Sequence, residues 1–232
     1  MTTKTSPDST PAPDPAGTPD ARIERIAGHV RGMLTELGLD LEDVNLRETD
    51  RRVAKMYLEM FRGLEEGAEP KVTTFPNDEH YGAMVMEKQI PFYSMCAHHL
   101  VPFYGHAHLA YIPNDTILGL SKFARILEFY AKRPQLQERL TEQVANYLET
   151  RLQPKGVMVV IEARHLCVEM RGVKKPGAVT VTEPPSAPKP CARFVGAMSY
   201  THVEPSCVMV KFCAAITTTP VRASEEPFAR ML

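Results

Sequence analysis

Gly156-Val-Met-Val-Val-Ile-Glu-Ala-Arg-His-Leu-Cys-Val-Glu-Met170 is the stretch that decides the fold. Its opening run, Val157 to Ile161, is mostly β-branched, which is strand composition. Carried on with a period of two, the stretch places Ala163, His165, Cys167, Glu169 and Arg171 on one face, so that His165 and Cys167 look the same way. Just downstream, Lys175-Pro176-Gly177 marks a turn, and residues 178–182 read as the return strand of a hairpin. Upstream, residues 105–113 alternate, with Ala107, Leu109 and Tyr111 on one side and His106, His108 and Ala110 on the other. The two histidines there read as a polar strand face. Residues 83–94 look extended and deliver the chain into a tight turn, Cys96-Ala97-His98-His99.

Between these strand pairs lie two helical patterns. Ser121 has the side chain of a helix cap, and the helix it would open keeps Ile126, Leu127 and Tyr130 inward. Pro134 suits the first position of the next helix, whose buried side would carry Leu136, Leu140, Val144, Tyr147 and Leu148. Strand pair, helix pair, strand pair predicts an α+β domain on an antiparallel sheet. Two more helices precede it. Ile23, Ile26, Ala27, Val30, Met33, Leu34 and Leu37 fall at helical spacing before Gly38. Val53, Met56, Tyr57, Met60, Phe61 and Leu64 form a second stripe from about Thr49. The N-terminal residues are Thr, Ser, Pro, Asp and Ala, which reads as a mobile tail and not as a secretory signal. Residues 183–190 hold four prolines and read as a linker; 207–216 suggests a strand and 225–232 a short helix.

Bulk properties narrow the function. The 232 residues carry a net charge of -1, so no overall field points to nucleic acid or a membrane surface. No apolar run approaches the ~20 residues of a spanning helix. The five cysteines, an odd number, argue against a disulfide framework and for a reducing, cytoplasmic setting. Cys96 and His99, three apart on a turn, can aim at one metal, and Cys167 from a distant strand makes a third ligand. Three protein ligands leave a position for water, the pattern of catalytic zinc, with His98 and His165 nearby to move protons. Spacing alone leaves open a closed structural zinc site with one of these histidines as fourth ligand, and also no metal at all. Cations accumulate at Arg52, Lys55, Lys122, Arg125, Arg171, Lys174 and Lys175, a set suited to a polyphosphate if folding or assembly brings them together. Gln137 and Glu138 open the second helix of the pair. A glutamate there can accept two parallel N–H bonds such as guanine offers, or simply sit in a solvated first turn.

These segments, taken in order, closely resemble the GTP cyclohydrolase I family. The motifs are Arg52-Val-Ala-Lys-Met-Tyr57, the Cys96 turn, Gly119-Leu-Ser-Lys-Phe-Ala-Arg125, Arg133-Pro-Gln-Leu-Gln-Glu-Arg139 and His165-Leu-Cys-Val-Glu-Met-Arg-Gly172. The resemblance implies a tunnelling fold: a four-stranded antiparallel sheet with a helix pair and N-terminal helices, closing with other subunits into an oligomeric barrel, normally two stacked pentamers. It implies a tail at 1–21, a family-like domain at 22–182 (helices at 22–70, core at 83–182) and a divergent, Pro-rich extension at 183–232. The activity it implies is zinc-dependent opening of the imidazole ring of GTP, release of formate, and rearrangement to 7,8-dihydroneopterin triphosphate. By position, Cys96, His99 and Cys167 match the Zn2+ ligands, His98 and His165 the acid–base histidines, and Ser121 a serine of the later rearrangement. Glu138, with Gln137 beside it, matches the guanine contact, and Arg52, Lys55, Lys122, Arg125 and Arg171 match the triphosphate contacts. In two places the chain departs from the family: Ala97 stands where most members carry Glu, and the tail after Thr182 has no match. Ala97 and the tail leave room for one alternative, a catalytically impaired homologue that binds purine or pterin or assembles with an active subunit, while the complete guanine, phosphate and Cys/His/Cys set argues against a relative acting on a pterin.

Overall fold

The computed structural model describes residues 18–184. The strand expected at 207–216, the helix expected at 225–232, and Cys191, Cys207 and Cys213 lie outside the described residues. Helix α1 (Pro19–Glu36) starts on Thr18, whose side chain accepts the Ala21 N–H, and has Pro and Asp20 in its first turn. It stops where Gly38 takes a positive φ of 76°. Ala27, Val30 and Leu34 form its buried side, packed on α2 (Thr49–Met60). The second helix departs from the expected stripe: Ala54 and Asp50 are its buried residues, while Met56 and Leu64 are largely exposed. Packing against α1 runs through the small Ala54 and through Asp50, which receives the Arg31 guanidinium (Nε at 2.8 Å).

A short 3-10 turn, Arg62–Leu64, docks this helical arm onto the rest. The Gly63 N–H donates to the Lys132 carbonyl at 3.0 Å, and a Cβ on Gly63 would lie 2.4 Å from the Phe129 oxygen. Only glycine permits that approach. The chain then runs through β1 (Thr74–Pro76), β2 (Val85–Cys96), β3 (Pro102–Ile112), β4 (Thr116–Leu118), α3 (Ser121–Ala131), β5 (Pro134–Gln135), α4 (Gln137–Leu152), β6 (Gly156–His165), α5 (Leu166–Glu169) and β7 (Val179–Thr182). The main sheet has the order β5-β2-β3-β6-β7, and β1 pairs with β4 in a small second sheet.

The antiparallel run β2-β3-β6-β7 is the expected four strands. The fifth strand is a correction. Pro134 opens no helix; with Gln135 it forms β5, parallel to Met95–Cys96 at the end of β2. Leu136 then caps α4 with an extended backbone. Ser121 does not cap α3 either: the N-cap is Leu120, with no side-chain hydrogen bond, and Ser121 is the exposed first residue of the helix.

Helices α3 and α4 cover one face of the sheet. Phe123, Ile126, Leu127, Leu140, Val144 and Leu148 meet Phe92, Phe103, Leu109, Tyr111, Val159 and Ile161 in one apolar core. Truncating a fully buried member such as Leu148 to alanine would cost about 2–5 kcal/mol. On the opposite face, Ala110, Met158 and Val160 form a smaller cluster with Met84 and Met86. His106 is exposed, but its neighbour His108 is fully buried, and neither of its ring nitrogens has a hydrogen-bond partner. Burial pushes its pKa down, which keeps the ring neutral. The expected polar face therefore holds for one histidine of the pair and not the other.

Strand β2 carries a β-bulge. Pairing with β3 shifts between Glu87 and Ile90, and Gln89 has a φ of 58°. After the bulge, Ile90, Phe92, Ser94 and Cys96 are buried while Pro91 and Tyr93 are exposed. Cys96 thus ends the strand on the helix side.

Candidate functional site

The site lies where β2 ends, β3 begins and β6 ends. The turn after Cys96 is closed by its own backbone: Leu100 N–H donates to the Cys96 carbonyl at 2.8 Å, and Cys96 N–H to the Val101 carbonyl at 3.0 Å. Leu100 has a φ of 49° to allow it. Strand β5 braces the turn from the side, because Ala97 N–H donates to the Gln135 carbonyl at 2.9 Å. His98 and His99 project from the turn into solvent, their rings nearly perpendicular with centroids 6.2 Å apart.

The third element corrects an expectation. Cys167 is not on a strand. Strand β6 ends at His165, and Leu166–Glu169 form one helical turn, α5. Arg164 holds that turn in place, donating to both carboxylate oxygens of Glu169 at 2.8 and 2.6 Å. These bonds hold the Glu169 pKa down against the opposing effect of its burial. The helical turn swings Cys167 towards Cys96. One ligand atom from each of Cys96, His99 and Cys167 lies within 4.8 Å of the others, and His99 turns Nδ1 to within 3.9 Å of the Cys96 sulfur. Both cysteines are free thiols. Burial pushes the Cys167 pKa up, as does its hydrogen bond with Cys96, while Arg171 opposes the rise. Two thiols and an imidazole gathered at one point suit a thiophilic cation such as zinc, which replaces the thiol protons.

His165 is held by two contacts. Its ring lies flat on Phe103, centroids 4.7 Å apart and planes 3° from parallel. Its Nε2 is 2.7 Å from the Gln137 Oε1. Burial lowers its pKa, and the charges of Glu138 and Glu169 work against that shift. Gln137 is only 2% exposed, so it is no solvated first-turn residue. Its amide nitrogen contacts Ile161 O at 2.9 Å, Thr180 O at 2.9 Å and Thr182 Oγ1 at 3.1 Å.

The chain therefore gathers Cys96, His99, Cys167, His165 and Gln137, with Glu138 and Arg171 close enough for their charges to be felt. It does not gather the others. Arg52 and Lys55 are exposed on α2, Ser121, Lys122 and Arg125 lie on the first turn of α3, and no contact among the described residues joins either group to the cysteines. Sequence reasoning missed Phe103, Thr141, Thr182, and the Arg164–Glu169 pair. The charges of Arg164 and Glu169 five apart were visible, but that spacing says nothing until a helical turn is known to lie between them.

Comparison with known proteins gives the same direction. The protein-family model of GTP cyclohydrolase I matches residues 26–186. The GTP cyclohydrolase 1 of Streptococcus mutans is 56% identical over 160 residues, 68% of this chain and 83% of that protein. That of Lysinibacillus sphaericus is 55% identical over 159 residues, 68% and 84% of the two chains. Among solved structures, the archaeosine synthase QueF-Like in the apo form is a slight likeness, 20% identical with a TM-score of 0.35, over 45% of this chain and 96% of that one.

Proposed function

Because the chain belongs to the GTP cyclohydrolase I family, we propose that it opens the imidazole ring of GTP, releases C8 as formate, and rearranges the remainder to 7,8-dihydroneopterin triphosphate. The observation that carries this reading is the convergence of Cys96, His99 and Cys167 on one point. These three residues would hold Zn2+, which supplies a Lewis acid that activates water at neutral pH. His98 and His165 move protons to and from the purine as the ring opens. Glu138 pairs with the N–H edge of guanine, and Ser121 serves the later rearrangement of the ribose. Arg52, Lys55, Lys122, Arg125 and Arg171 grip the triphosphate and so fix the base against the cysteines, which is an orientation effect.

Much of that grip is unassembled in one chain, which supports a site shared between subunits of a homo-oligomer, a decamer of two pentamers. The outer edge of β7 supports the same reading. Among the described residues it ends the sheet, and Val179 and Val181 are 55% and 48% exposed. Reduced Cys96 and Cys167 suit a cytoplasmic setting, and no helix among the described residues is long and apolar enough to cross a membrane.

The test is to incubate the purified, zinc-loaded protein with GTP, following formate and the growth of pterin fluorescence, with metal analysis on the same sample. Turnover with about one zinc per chain is expected. Loaded, assembled protein that releases no formate defeats the proposal. If turnover then emerges only after Ala97→Glu, the chain is an impaired homologue that kept the scaffold.

A further inference from the structure

We propose that Gln137 is a positioning residue that fixes which nitrogen of His165 carries the proton, and that it does so through the terminal strand β7. This rests on the reading of His165 as an acid–base group given above.

The argument is one of hydrogen-bond direction. Thr141 Oγ1 lies 2.8 Å from the main-chain carbonyl of Gln137, which can only accept, so the single hydroxyl proton of Thr141 is committed there. Thr141 Oγ1 also lies 2.7 Å from Thr182 Oγ1, so Thr182 must be the donor of that bond. Thr182 is then left with lone pairs to receive the Gln137 amide nitrogen. Ile161 O and Thr180 O, the other neighbours of that nitrogen, are carbonyls and also can only accept. Every contact requires the nitrogen of Gln137 to face the sheet. Its Oε1 must therefore face His165, and at 2.7 Å it demands a proton on Nε2.

The tautomer of a histidine is set by the partner of its other nitrogen. Here that leaves Nδ1 of the neutral ring as the lone pair, and Nδ1 has no hydrogen-bond partner among the described residues. The stack on Phe103 fixes the plane of the ring, and within that plane turning it over would put Cε1 in place of Nε2 against Gln137 Oε1, so the hydrogen bond selects the orientation. His165 is thus presented with Nδ1 as the atom that takes and returns a proton.

Two elements share this task. Gln137 opens α4, while Thr180 and Thr182 belong to β7, the last described strand before the extension. Pairing of β7 with β6 is thereby a condition for a correctly protonated His165. A substrate-binding Gln137 would need a spare amide atom. Both of its side-chain polar atoms are already engaged inside the chain.

Neutron diffraction from deuterium-exchanged crystals of the zinc-loaded, full-length protein reads the inference without reference to activity. A deuteron on His165 Nε2 aimed at Gln137 Oε1 is expected. A ring deuterated on Nδ1 alone, or a Gln137 amide turned the other way, overturns it. Kinetics supplies the second readout: Gln137→Met should lower kcat for formate release about 10- to 100-fold and leave the KM for GTP within about twofold, with zinc content unchanged. A raised KM at constant kcat makes Gln137 a substrate contact and overturns the inference. If Gln137→Met does not assemble, the neutron result on the native protein decides alone. If the native protein shows the Nε2 deuteron but never opens GTP, the proposed function fails while the positioning role stands.

Discussion

The cysteine site and the cationic residues are built in opposite ways. Cys96 and His165 end paired strands and Cys167 sits on the helical turn that follows β6, braced by β5, by the Arg164–Glu169 pair and by Gln137. Their positions follow from backbone hydrogen bonds within one chain. Arg52, Lys55 and Arg125 stand on helix surfaces, exposed and, among the described residues, without a partner that would aim them. Under the proposed function, the preorganised part is the one that would hold metal and move protons, and the loose part is the one that would grip phosphate. Groups that handle protons and metal need tight geometry, while a phosphate grip tolerates long side chains that order late.

The strongest way to break this contrast is to attack the preorganised half. Cys167→Ser should abolish zinc retention and lower turnover by on the order of 10³-fold or more, measured by metal analysis and formate release. If activity survives at a tenth of normal with zinc absent, the cysteine site is not the reaction centre. A smaller effect is expected from the loose half. Arg52→Ala should raise the KM for GTP roughly 10- to 100-fold and leave zinc bound, as loss of one charged hydrogen bond predicts. Reassembling Cys167→Ser chains with Arg52→Ala chains sharpens the point: if the two halves of a site come from different copies, about a quarter of the sites become intact again. Mixtures no better than the mean of the two parents would place the whole grip within one chain.

The smallest effect concerns stability. Glu69 accepts from Arg151 and, at 3.0 Å, from Tyr147, tying the segment after the helical arm to α4. The Arg151 hydrogen bond, and then that of Tyr147, hold the Glu69 pKa below its ordinary value. A depressed carboxylate adds stability that is complete above the unfolded-state value of about 4.3 and fades as pH falls through the lower, folded-state value. Glu69→Gln should therefore lower the melting midpoint at pH 7 by no more than about 2 °C, the pair being half exposed, and should make no difference at pH 2. An equal loss at both pH values would show that shape, and not charge, is what the contact supplies.

Much of the architecture was legible because its signals are periodic. Alternation marks β3, a β-branched run marks β6, apolar spacing marks α3 and α4, and Gly38 and Gly177 end their segments with positive φ. The positions of the metal-ligand candidates were legible as residue types, but the route of Cys167 to Cys96 was not. A period-two reading ran straight through His165 because a four-residue helical turn is too short to leave a pattern. Pro134 misled for a similar reason: its fixed φ suits a helix start and an edge strand alike, and the pairing with β2 decides between them. His108 looked like a surface residue because nothing in its neighbours says that Met86, Met158 and Val160 cluster on that side of the sheet. The hydrogen bonds of the Gln137 amide could not be read, since their partners lie 24 to 45 positions away.

The bulge in β2 sets a rule for how this chain can change over time. Glu87 and Ile90 lie an odd number of positions apart yet pair with Leu109 and Ala107, which share a face of β3. The extra residue resets the phase of everything that follows. Substitutions along this strand act one side chain at a time. A single deletion at Lys88 or Gln89 would remove the bulge and leave Glu87 and Ile90 two apart, matching Leu109 and Ala107, whereas a deletion between Pro91 and Met95 would turn the residues beyond it, Cys96 among them, to the other face. Cys96 is in that sense addressed by counting, and lineages of this chain should accept many replacements between Ile90 and Cys96 but no change in length.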